Sequence, residues 1–96
     1  MITKAMVVDG FEKGYVKIIP APEGDGIAAQ IGESWLYFGS KAEVGCSSCE
    51  EYLRKIPRET IIDEIYSALE RHRFVGLVHN EVSDKYSYYK KILSQR

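Results

Sequence analysis

Ile27-Ala28-Ala29-Gln30-Ile31-Gly32-Glu33-Ser34-Trp35-Leu36-Tyr37-Phe38 is the stretch whose pairing sets the architecture. Ile27, Ala29 and Ile31 alternate, which lays them on one face of a strand. Gly32-Glu33 is a two-residue connection with glycine first, the order a type II′ hairpin turn requires. Ser34-Trp35-Leu36-Tyr37-Phe38 then returns as the partner strand, closed by Gly39. A connection this short permits only antiparallel pairing, because a parallel crossover needs about a dozen residues or more.

Upstream, Tyr15-Val16-Lys17-Ile18-Ile19 reads as a β-branched strand that stops at Pro20-Ala21-Pro22, with Glu23-Gly24-Asp25-Gly26 as the turn. Ala5-Met6-Val7-Val8 is a further apolar run ending at the turn signal Asp9-Gly10, and reads as a first strand. Downstream the period changes. Cys49 to Ile56 is a short helix with acids in its first turn, ended by Pro57, which also serves as the first residue of the next helix. There Ile61, Ile62, Ile65, Tyr66, Leu69 and Phe74 form one stripe. Val75-Gly76-Leu77-Val78 fits a loop, a frayed helix end or a short strand, and a last helix begins near Ser83. The expected fold is α+β: an antiparallel three- to four-stranded meander in the N-terminal half, packed by two to three C-terminal helices in a single domain over residues 1–96.

Apolar residues make up 45% of the chain and charged residues 28%, which excludes a disordered or collagen-like polymer. The 13 basic and 14 acidic side chains leave a net charge of −1, unlike the strongly basic domains that grip nucleic acid by its phosphates. The opening residues carry no basic, long-apolar signal peptide, and no apolar run approaches the roughly 20 residues that span a bilayer. With Cys46 and Cys49 as the only cysteines, a secreted disulfide framework is not expected, and the reading is a cytoplasmic protein without a membrane partner.

Cys46-Ser47-Ser48-Cys49 is the one recognisable short motif. A CxxC at a helix N-terminus favours a thiolate, which gives a redox reading. Adding His72 and His79 gives a zinc reading, although the six residues between them exceed the three to five of common fingers. The favoured alternative is a pair of small, partly buried cysteines with no cofactor. Glu50-Glu51 and Asp63-Glu64 are sequence neighbours, so each pair diverges by about 100° around its helix and suits solvated faces better than acid–base catalysis. The Lys-Ser/Thr of a phosphate loop and a serine elbow are both missing. No enzyme activity is expected.

From Ser83 to Arg96 the chain holds four basic residues and one acid, while residues 1–40 and 41–82 are each net acidic. Seven of the eleven aromatics are tyrosine, and Tyr86, Tyr88 and Tyr89 interleave there with Lys85, Lys90 and Lys91. This pattern suits a partner-binding helix. It also suits single-stranded nucleic acid, by stacking and phosphate contact. A third reading packs Tyr86, Tyr89 and Leu93 into the core and leaves the lysines exposed. The leading expectation is a non-enzymatic module that binds a protein partner through this helix or through the exposed sheet face. An Ala5-to-Val8 edge strand adds a route to homodimers.

The chain as a whole, and most clearly residues 31–39 (IGESWLYFG) with 60–69 (TIIDEIYSAL), resembles small accessory proteins carried by conjugative and phage-like elements of Gram-positive gut bacteria. The resemblance is one of length and segment order. It implies an antidefence inhibitor, such as an anti-CRISPR protein, or a regulator of element maintenance, acting by occluding a surface. The near-neutral charge departs from the strong acidity of inhibitors that mimic DNA.

Overall fold

The computed structural model describes residues 2–76 and 80–94, and the side chains of all of these except 72–76 and 80–85. At its centre lies the expected hairpin. Strand β2 (Gly26–Ile31) pairs antiparallel with β3 (Ser34–Ser40), with Ile31 opposite Ser34 across the two-residue turn. Gly32 has φ +61°, and among the described residues no non-glycine has positive φ. Positive φ at the first turn position only is the signature of type II′ and not of type I′. β1 (Val16–Pro20) pairs antiparallel with the other edge of β2, so the sheet order is β1-β2-β3. Between Ile27 and Ala28 the register shifts against β3, leaving Phe38 as the extra residue of a bulge.

Residues 5–8 are not a strand. They belong to helix α1 (Lys4–Lys13), capped by Thr3, whose side chain accepts the Met6 N–H at 3.2 Å, and ended by Gly14 in the left-handed region at φ +81°. A four-residue apolar run fits either element. The misleading signal is Asp9-Gly10, which reads as a turn. Gly10 is instead a helical residue where α1 touches its neighbours: a Cβ there would lie 2.7 Å from Leu93 Cδ2 and 3.1 Å from Val16 Cγ2. The edge-strand route to a homodimer through Ala5–Val8 falls with that strand. Among the described residues the sheet has three strands, and one of the helices packing it comes from the N-terminus.

Three helices follow the sheet before the last one. α2 (Lys41–Val44) is a single turn closed by a capping box: Ser40 Oγ accepts the Glu43 N–H, and Glu43 Oε1 accepts the Ser40 N–H. α3 (Cys49–Lys55) starts on Ser48, whose side chain accepts from Glu51 N, and stops at Ile56, extended as a residue before proline must be. The Pro57 carbonyl accepts from Ile61 N, so this proline stands one place outside α4 (Arg58–Gly76). Ile61, Ile62, Ile65 and Leu69 of α4 are buried and Tyr66 is half-buried, as the stripe predicts, and Ala68 is buried beside them. The Phe74 side chain lies outside the described set. Val75 and Gly76 continue α4, and Leu77 and Val78 fall outside the described residues.

α5 (Asn80–Ser94) begins three residues before the expected start. It lies against α4 and α1, while α4 also reaches β3 and α1 reaches β1. Together they bury one sheet face, where Val16, Ile27, Ala29, Ile31 and Leu36 meet Ile2, Val7, Ile61, Ile65, Leu69, Tyr89 and Leu93. Lys4–Asp63 and Arg58–Glu12 ion pairs, both at 2.7 Å, tie α1 to α4 at the surface. Exposed as they are, both pairs are screened by solvent and contribute little.

Candidate functional site

Helical period separates the interleaved C-terminal tyrosines and lysines. Tyr89 and Leu93, four apart, are buried, and Tyr86, three before Tyr89, is half-buried. Lys90 and Lys91 are exposed, and the Lys85 side chain is outside the described set. All three tyrosine hydroxyls are engaged. The Tyr89 hydroxyl donates to the Trp35 carbonyl and shares a hydrogen bond with Ser34 Oγ, each at 3.0 Å. Tyr88 accepts the Glu33 N–H at 2.7 Å, and Tyr86 accepts the Ile2 N–H at 3.3 Å. Burial pushes the Tyr89 phenol above its ordinary range, against the pull of the Ser34 hydrogen bond. These side chains fasten α5 to the β2–β3 turn and to the N-terminus, as in the packed alternative. Base stacking needs an open ring face, which fully buried Tyr89 does not have.

The CxxC residues divide differently from what redox chemistry needs. Cys46 is buried ahead of α3, and Cys49 is the half-buried first residue of that helix; both are free thiols. Burial pushes the Cys49 thiol up, with Lys41 pulling weakly the other way. In a reactive CxxC the first cysteine is the accessible nucleophile, and here Cys46 is only 3% exposed. His72 stands in α4 with its side chain outside the described set, and His79 lies outside the described residues altogether. Among the described residues no group of three or more His, Cys, Asp or Glu side chains is arranged to hold a metal ion.

The sheet face turned away from the core has a composition of its own. Directly paired residues share a face, so the register aligns Lys17 with Gln30 and Trp35, and Ile19 with Ala28 and Tyr37. Tyr15, two residues before Lys17, continues that side, and its carbonyl accepts the Gly32 N–H. Tyr15 is 42% exposed and Tyr37 46% exposed, while Ile19, Gln30 and Trp35 are half-buried. Tyr37 lies over Gly26, where a Cβ would collide with its ring. Neither Ile19 nor Tyr37 is among the side chains packed on the core. Lys17 is the one charged side chain among the described strand residues of this face.

These positions are countable from strand alternation. What alternation leaves open is which face the helices cover, since both faces carry apolar residues. No protein-family model, curated protein or solved structure matches this chain.

Proposed function

We propose that the protein is a non-enzymatic interaction module whose outer sheet face docks a protein partner presenting an apolar patch beside acidic groups. The observation that carries this reading is the exposure of Tyr15 and Tyr37 on one side of the sheet, with Ile19 of β1 on the same side and Lys17 as the local charge. Tyrosine provides large contact area with little rotamer entropy to lose, and a lone lysine complements an acidic rim. Tyr86, Tyr88 and Tyr89 support the reading less, because their hydroxyls are engaged within the fold. The resemblance to mobile-element accessory proteins extends it: the partner is a host component, and the module inhibits that component by covering its surface.

A photo-crosslinking amino acid at position 37, compared with one at the equally exposed Leu53 on α3, tests the proposal in cells of the source organism. One protein adduct is expected from position 37 and none of the same mass from position 53, and Lys17→Glu should abolish it. Identical adducts from both positions, or none from position 37, would remove the sheet face from consideration.

A further inference from the structure

Beyond the sheet face, a recess opens where the end of β3 meets α2, α3 and the first turns of α4. Its volume is about 390 Å³, within the roughly 300–1,000 Å³ of small-molecule sites. Phe38 and Tyr52 form an aromatic wall, their rings 6.2 Å apart and tilted by 37°. Val44 and Ile56 are its aliphatic sides, and Glu43 and Glu64 its charged ones. Among the described residues no basic side chain lines it. The groove between α1 and α4 differs, because its Lys4 and Arg58 are already paired with Asp63 and Glu12.

Two features give this recess a preference. Tyr52 is only 4% exposed, yet among the described residues its hydroxyl has no hydrogen-bond partner. The hydroxyl oxygen keeps some exposure on the side of the recess, where a ligand can reach it. Its surroundings are also negative. The Tyr52 phenol is pushed up to about 12, first by burial and then by the charge of Glu64. The hydrogen bonds from Ser40 keep the Glu43 carboxyl below its usual range, hence ionised.

We propose that this recess binds an organic cation, an ammonium group on a short aliphatic chain. The ammonium donates to the Glu64 carboxylate and to the unpartnered Tyr52 oxygen, and the Phe38–Tyr52 wall faces it with ring electrons. The methylene chain lies against Val44 and Ile56. Two carboxylates and no base repel an anion of the same size. This site is independent of the sheet-face reading, and either stands if the other fails.

Amide chemical-shift titration with 1,5-diaminopentane tests the proposal, with 1,5-pentanediol as the uncharged counterpart. Saturable shifts are expected at Val44, Ile56 and Thr60 with the diamine and not with the diol. Glu64→Gln, at an exposed position, should weaken binding about tenfold by removing a charge-assisted hydrogen bond. Tyr52→Phe should keep the fold, since no protein hydrogen bond is lost, and weaken binding severalfold. Absence of saturable shifts at millimolar diamine, equal shifts with the diol, or undiminished binding in both variants would overturn it.

Discussion

Tyr89→Phe deletes one oxygen from the interior while keeping the ring that fills it. Among the described residues that oxygen makes two hydrogen bonds, to Ser34 Oγ and to the Trp35 carbonyl, both 3.0 Å long, from a residue that is fully buried. Each such bond contributes a net of about 1 kcal/mol, and polar groups left without this partner add desolvation cost. The expected loss is therefore about 2 kcal/mol, on the order of 10 °C in Tm for a chain of this size. Urea denaturation followed by far-ultraviolet circular dichroism reads it directly. The midpoint should fall with an unchanged slope, because the same surface is exposed on unfolding. Tyr88→Phe is the comparison: its half-buried hydroxyl accepts one backbone N–H beside solvent, so the loss should stay below about 1 kcal/mol. A cycle with Ser34→Ala should return a coupling of about 0.5 kcal/mol or more. A Tyr89→Phe variant within about 0.5 kcal/mol of the parent, the range of an ordinary surface change, would refute the role given to this hydroxyl in anchoring α5.

Gly32→Ala should destabilise by about 1–3 kcal/mol, since the residue has φ +61° and a Cβ would lie 2.5 Å from the Tyr88 hydroxyl and 3.2 Å from Ile92. The urea midpoint checks this, and an unchanged value would mean α5 does not seat on the turn. Stability should fall at both ends of the pH range. The Glu43 and Glu51 carboxyls are held below their usual 4.5 by bonds from Ser40 and Ser47, so their contribution is full above that value and is lost as pH falls through the lower folded one. Tyr52 is raised from 10 to about 12, so its contribution is present below pH 10 and lost as pH climbs toward 12. Thermal melts across pH should show Glu43→Gln with Glu51→Gln flattening the acid limb and Tyr52→Phe flattening the alkaline one.

Local chemistry makes much of this fold legible. The Gly32-Glu33 turn, the proline that ends α3 and the isoleucine stripe of α4 each depend on residues within a few positions of one another, where backbone sterics and helical period decide. The α1 segment reads wrongly as a strand because a short apolar run has no period of its own, and because Gly10 serves a distant contact. That glycine is needed where Leu93 and Val16 approach, more than eighty and only six residues away. The C-terminal tyrosines show the same division. Their spacing announces an inward face, but spacing alone fits a partner, a nucleic acid and the core equally well.

For the candidate sites, alternation by itself groups Tyr15, Lys17, Ile19, Gln30, Trp35 and Tyr37 on one side of the sheet. The choice of face depends on where α1, α4 and α5 bury the most apolar area. The recess beside Tyr52 has no local signature at all, because Phe38, Tyr52 and Glu64 come from three elements. Turn geometry, strand alternation and helix periodicity are properties of neighbouring residues, and the chain carries them openly. Which sheet face is covered, which tyrosine hydroxyls are engaged and which phenol is left without a partner follow from packing between distant segments, and only the folded chain decides them.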